Sequence, residues 1–406
     1  MTAAATNGTA REGEGGKEIS SIPRRAPARW LLPLLALLIV AAGCRSISKP
    51  GGYAEPKVDG DKIYVSVHTG KMAAVKATDF SVIWEFPQNK DFACGGGASS
   101  QHDLRALYGA PVVDSGRVYF GAYDGKVYAL NAEDGSCEWE SHKASDSGAQ
   151  CQGREPGGPV IGGMVLVDGV LYFGSDDGQL YGIDAKSGAV LSCVDVQGAV
   201  WSTPLLIGKT LYVATMSGVL WEVDSANAGD PQTRQVFKTT AALLSDPIAA
   251  GGKILVGGIG EKLYLVDPAS GQVSWEFSGG NWFWGRPQVQ GGVVYATNLD
   301  GKAYAIDVAT GKPVWQDNTF KAPEAIRAAP LLAGGTLVVA DRGGNIYSLD
   351  PSTGQVLKKS EAIIEKRVLA NPVALDNAVL VVAQDGSLYR VEPTGDKPPE
   401  IVGQKK

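Results

Sequence analysis

Short apolar runs of three to six residues, separated by glycine-bearing polar turns, occupy the chain from about residue 55 to residue 403. The segment Gly291-Gly-Val-Val-Tyr295-Ala-Thr-Asn-Leu-Asp300-Gly301-Lys-Ala-Tyr304-Ala-Ile-Asp307-Val-Ala-Thr-Gly311-Lys-Pro-Val-Trp315 shows the unit. Such runs have strand length and are bounded by turn residues, and no 3.6-residue period competes with them. The first run of each unit starts near a proline, as at Pro204. Asp-Gly closes the hairpin between the second and third runs, because glycine adopts φ > 0 without steric cost. An Asp-x-x-Ser/Thr-Gly turn, whose carboxylate can accept nearby backbone N–H groups, leads to a fourth run carrying Trp.

The unit repeats. The Tyr304 position is filled by Tyr128, Tyr181, Trp221, Tyr264, Tyr347 and Tyr389, with Ala73 in the first copy, and the Trp315 position by Trp84, Trp139 and Trp275. The hairpin glycines Gly70, Gly125, Gly178, Gly218, Gly301, Gly344 and Gly386 mark seven copies, and an eighth lies near Glu261 without its glycine. Four strands per forty-odd residues, repeated eight times, predict an all-β chain. The architecture is an eight-bladed β-propeller of four-stranded antiparallel blades. The third-strand Tyr and outer Trp are expected to wedge between neighbouring blades. Motifs such as Tyr304-Ala-Ile-Asp307-Val-Ala-Thr-Gly311-Lys-Pro-Val-Trp315 and Tyr347-Ser-Leu-Asp350-Pro-Ser-Thr-Gly354 resemble the PQQ-like repeat family over roughly residues 55–403.

The N-terminal region has another character. Residues 1–22 lack an apolar period; Arg24, Arg25 and Arg29 then precede the apolar run Trp30 to Gly43. Fourteen residues are short for a membrane span of about 20, and a basic stretch followed by a short apolar run has the layout of an export signal. Ala41-Ala42-Gly43-Cys44 resembles a bacterial lipobox, which implies acylation of Cys44 and an exported, membrane-anchored protein. Arg45, rather than Asp, after the cysteine is compatible with an outer-membrane destination. The expected organisation is an n-region and signal over 1–44, a tether over 45–54 and the propeller over 55–403. Eight repeats behind a lipobox are most similar to the outer-membrane β-barrel assembly lipoprotein B family. That resemblance implies a monomeric, non-catalytic scaffold for an envelope protein or peptide.

Composition narrows the alternatives. With 44% hydrophobic residues the chain can bury a large core, and a net charge of −6 without a basic stripe argues against a nucleic-acid partner. No P-loop, nucleophile elbow or H-E-x-x-H motif occurs, so no catalytic residue, cofactor or metal is assigned. Quinoprotein dehydrogenases share the repeat but carry adjacent cysteines over their cofactor, and this chain has no Cys-Cys pair. A PQQ-dependent oxidoreductase and an envelope sensor or ligand-binding protein are the alternatives to a scaffold.

Beyond Cys44 the cysteines are Cys94, Cys137, Cys151 and Cys193. Outside the cytoplasm disulfides are favoured, and four cysteines allow three pairings. Cys94 and Cys151 occupy similar places in two insertions, which favours Cys94–Cys151 with Cys137–Cys193. Zinc held by Cys94, His102, His142 and Cys151 is the competing use of these loops. The residues before each strand proline should ring one mouth of the channel. There Tyr108, Trp201, Trp282, Trp284, Arg286 and Arg327 form a candidate partner-binding rim, since aromatics and Arg are enriched at interfaces. The competing role for each is to plug the channel or pack between blades.

Overall fold

The computed structural model describes residues 52–403 apart from 68–69, 89–90, 95–99, 102–103, 142–155, 228, 316–319, 361–363, 365–366 and 395–399. The signal segment, Cys44, His102, His142 and Cys151 lie outside the described residues. Eight four-stranded sheets follow one another, each an antiparallel meander of four consecutive strands. Blade 1 runs through Lys57–Asp59, Lys62–Val67, Lys71–Lys76 and Val82–Phe86, and blade 8 ends at Glu400–Gly403. No helix forms among the described residues. A two-stranded hairpin, Asp91–Phe92 with Ser100–Gln101, stands in the insertion after blade 1.

The second and third strands are buried on both faces, and the alternating side chains of each serve two different cores. In blade 1, Tyr64, Met72 and Ala74 pack with Val118, Phe120 and Tyr128 of blade 2. Their neighbours Ile63, Val65 and Val75 pack with Leu375, Leu380 and Leu388 of blade 8. The same alternation yields eight interblade clusters, and the ring closes by the packing of blade 8 on blade 1. No strand is exchanged across that closure.

The repeated aromatics act in these seams. Each outer Trp donates its indole N–H to the Asp-turn of the next blade: Trp84 to the Ala132 carbonyl (3.1 Å), Trp139 to Ala185 (3.2 Å), Trp275 to Val308 (2.8 Å) and Trp315 to Pro351 (2.9 Å). The ring lies over the glycine that ends that turn. At Gly354, with φ +75°, an added Cβ would stand 2.6 Å from Cδ2 of Trp315. The Trp and the glycine two blade-halves later in the sequence are therefore one contact. Third-strand tyrosines hold the Asp-Gly turn of their own blade: the Tyr128 hydroxyl donates to Asp124 (2.6 Å) and that of Tyr181 to Asp177 (2.7 Å). The Asp of the second turn works as expected. Asp307 Oδ1 accepts the N–H of Thr310 (2.8 Å) and its hydroxyl (2.7 Å), and these bonds hold its carboxyl below the usual carboxylate range. In blade 5, where the hairpin glycine is missing, Glu261 itself takes the left-handed conformation at φ +61°.

Candidate functional site

The chain enters every blade through a short segment that crosses the axis end of the ring, and eight such segments line a cavity of about 350 Å³ at one mouth of the channel. Counting back from the proline that precedes the first strand, or from Met164 in blade 3, the third residue is Tyr53, Tyr108, Ile161, Trp201, Leu244, Trp284, Arg327 and Leu369 in blades 1 to 8; all eight line the cavity. The second residue back is always small. At Gly109 a Cβ would fall 2.2 Å from the Gly162 carbonyl of the next blade, so close backbone approach requires it. The residue directly before the proline is Glu55, Ala110, Gly163, Thr203, Asp246, Arg286, Ala329 or Asn371.

Polar side chains at that last position lace neighbouring blades. The Gly163 N–H donates to Thr203 Oγ1 (3.1 Å), the Thr203 N–H to Asp246 Oδ1 (2.7 Å) and the Ala329 N–H to Asn371 Oδ1 (2.8 Å). Glu55 reaches across the channel. It accepts Nη2 of Arg286 on both oxygens (3.0 and 3.1 Å) and Nδ2 of Asn371 (2.9 Å), joining blades 1, 6 and 8. Burial alone would depress the Arg286 guanidinium, but the carboxylates of Glu55 and Asp246 outweigh it and hold its pKa above the usual value. Burial pushes the Asp246 carboxyl up, against the pull of Arg286.

Above this layer the aromatic ring encloses a single cation. The Arg327 guanidinium lies 4.0 Å from the Tyr53 ring centroid and 4.1 Å from that of Trp284, and its Nη2 donates to the Tyr53 hydroxyl. Tyr53 meets Tyr108 edge-on at 4.6 Å, and Tyr108 meets Tyr123 at 5.8 Å. Burial, then the two neighbouring phenols, pushes Tyr108 up to about 12. Trp201 and Trp284 stand 6.5 Å apart, and the Trp201 indole N–H donates to Asp176 (2.7 Å).

Five of the six rim residues read from the sequence, Tyr108, Trp201, Trp284, Arg286 and Arg327, therefore come together around one cavity. Trp282 does not join them. It lies two residues outside the ring position, its carbonyl accepts the Leu299 N–H (3.0 Å), and it is 40% exposed. Tyr53, Glu55, Asp246 and Asn371 were missed, although each stands at the same offset from Pro56, Pro247 or Pro372 as the recognised residues do from theirs. Tyr53 and Ala54, assigned to the tether, are packed: the Tyr53 N–H donates to the Leu107 carbonyl (2.9 Å) and the Ala54 N–H to Ser66 Oγ (3.1 Å).

The cysteine pairing differs from expectation. Cys94 is bonded to Cys137, not to Cys151, which excludes both favoured pairs, and Cys193 is also disulfide-bonded. The insertion after blade 1 folds forward onto the fourth strand of blade 2, where Cys94 and Cys137 join the core between those blades. Cys193 faces the other seam, between blades 2 and 3. With its sulfur in a disulfide, Cys94 is also removed from the zinc set.

A family model described as outer membrane protein assembly factor BamB matches residues 45–169, 150–232 and 227–397. A protein of that description from Alkalilimnicola ehrlichii is 26% identical over 170 residues, 42% of this chain, and the match spans 39% of that relative's length. Among solved structures, BamB from Moraxella catarrhalis superposes with a TM-score of 0.60 at 16% identity, covering 82% of this chain and 92% of that one. A europium-containing methanol dehydrogenase superposes with a TM-score of 0.61 at 12% identity, covering 84% of this chain and 82% of that one. At such identities the superpositions establish the propeller fold.

Proposed function

The chain belongs to the family of the outer membrane protein assembly factor BamB, and from that premise we propose that it is a scaffold for protein assembly at the outer membrane. In this reading a lipid on Cys44 tethers the propeller to the membrane, and the face around the channel mouth docks an envelope protein. The observation that carries the reading is the family match across the propeller. The channel-mouth face supports it, since it gathers Tyr53, Tyr108, Trp201, Trp284 and Arg327, with the exposed Trp282 two residues before Trp284 in the chain. Rigid aromatics and Arg supply large contact area at low entropic cost, which suits a binding surface. Glu55, Asp246 and Arg286 are engaged in lacing the blades, which suits a frame better than acid–base chemistry.

The test is affinity capture from membranes with the acylated, full-length protein, followed by mass spectrometry. Recovery of a β-barrel assembly protein supports the scaffold, and recovery of no envelope partner refutes it. Trp282→Ala separates docking from folding, because Trp282 is 40% exposed and stands outside the laced cavity lining. It should reduce capture while leaving the melting temperature unchanged. Arg286→Ala cannot serve that purpose, since it strands Glu55.

A further inference from the structure

Arg286 and Arg327 lie in the same cavity and are treated differently by it. Arg286 has Glu55 at hydrogen-bond distance and Asp246 close by. Arg327 makes no ion pair among the described residues. Among the described residues its one hydrogen bond is to a phenol, and its Nε is buried without an acceptor. Burial keeps the Tyr53 hydroxyl above its usual pKa in spite of the guanidinium beside it, so at neutral pH it is a neutral partner. Burial also lowers the Arg327 pKa, and the like charge of Arg342 lowers it further. A half-buried cation that lines a cavity without a counter-charge is costly to hold there, and a carboxylate brought to its cavity-facing edge would supply the missing charge.

From this we infer that the channel mouth is a binding site for a carboxylate carried on a compact apolar body, with Arg327 as the anion-binding group. The chemistry of the ring fixes both halves. The guanidinium carbon lies 4.0 Å from the Tyr53 ring centroid and 4.1 Å from that of Trp284, contacts that restrict its motion, and its planar fork matches a carboxylate. Around it Trp201, Leu244 and Leu369 offer apolar contact. The carboxylates already present do not fill the role, since Glu55 is taken by Arg286 and Asn371, and Asp246 by the Thr203 N–H. A space of about 350 Å³, at the small end of ligand pockets, suits a small free acid or one acidic side chain of a bound peptide. The site lies within the face assigned above to docking, but the inference does not rest on that reading, for partner capture can fail with acid binding intact.

Two sources of the same chemistry are separated by two probes: phenylacetate as a free acid, and the blocked dipeptide N-acetyl-glutamyl-phenylalaninamide as a chain-borne one. Phenylacetamide, of the same shape without the charge, is the control. Ligand-observed NMR titration of the full-length protein should show saturable binding of at least one acid and none of the amide. The tighter acid identifies the source. Arg327→Gln should weaken binding about tenfold or more with its melting temperature close to that of the parent. Arg327→Lys, which keeps the charge and loses the fork, should fall between and decides the matter if the glutamine variant folds poorly. Absence of binding by both acids, equal binding of the amide, or an unchanged affinity in both variants overturns the inference.

Discussion

Gly354→Ala, set against Gly116→Ala, isolates the contact that joins the blades. Both glycines have left-handed backbones, φ +75° and +78°. Each alanine therefore carries the same conformational penalty, about 1–2 kcal/mol, and the same small gain from a stiffer unfolded chain. They differ in what the new methyl meets. At Gly116 nothing lies within 4 Å, whereas at Gly354 the methyl falls 2.6 Å from Cδ2 and 2.7 Å from Cε3 of Trp315. That indole cannot step back. It is 2% exposed, packed with Tyr295, Leu337 and Leu349, and pinned by its N–H to the Pro351 carbonyl. Overpacking of this kind adds about 1–3 kcal/mol, so Gly354→Ala should exceed Gly116→Ala by that amount. The assay is urea denaturation followed by circular dichroism and tryptophan fluorescence, with melting curves alongside; in a domain of this size each kcal/mol moves Tm by roughly 1–2 °C. A Trp315→Leu background should remove most of the excess, because the two sites share one contact. Equal losses for the two alanines in the parent chain would refute the Trp–Gly seam as a source of ring stability.

Non-reducing peptide mapping should recover Cys94 joined to Cys137, and Cys137→Ser should lower stability by up to about 4 kcal/mol, the loop-closure value for a separation of 43 residues; a Cys94–Cys151 peptide would contradict the forward-folded insertion. Asp246 has a raised pKa in the folded state, so its favourable contribution is fully present below the unfolded value and is lost as pH rises through the folded one. Asp246→Asn keeps an acceptor for the Thr203 N–H, and its Tm relative to the parent should climb between pH 3 and pH 8; a flat difference would count against a strained carboxylate. Asp307 has the opposite sign, its folded pKa being lowered by the bonds from Thr310, so its stabilisation is present above the ordinary Asp value and disappears as pH falls through the depressed one. Thermal melts of Asp307→Ala should accordingly show a deficit at pH 7 that shrinks as pH falls below the ordinary Asp value.

The blades were legible because repetition makes each position visible several times over. Trp315, Gly354 and Asp307 have counterparts in other copies, and a residue that returns to one slot reports a contact made in more than one seam. The mouth was legible in part for the same reason. Trp284 and Arg327 stood out by their chemistry, while Tyr53 and Asp246 are marked only by distance to a proline and were passed over. Trp282 belongs to the same dense stretch as Trp284 but stands two residues outside the ring position, a difference that its chemistry alone did not mark. The disulfide was not legible at all. Equivalent places in successive insertions suggested that Cys94 and Cys151 meet, but an insertion leans on whichever seam lies ahead of it, and that is a property of the closed ring.

The closure of blade 8 on blade 1 without a shared strand bears on how such a chain emerges during synthesis or export. Every blade completes its hydrogen bonding from one contiguous segment, so each can zip up as soon as it has appeared. The apolar face of blade 1 formed by Ile63, Val65 and Val75 waits for Leu380 and Leu388, some 300 residues later. At 5–20 residues per second that is roughly 15–60 s, during which the first blade is complete in its backbone and uncovered on one side. The nascent chain's hazard is thus concentrated in its oldest blade, and a holding chaperone would be needed there longest.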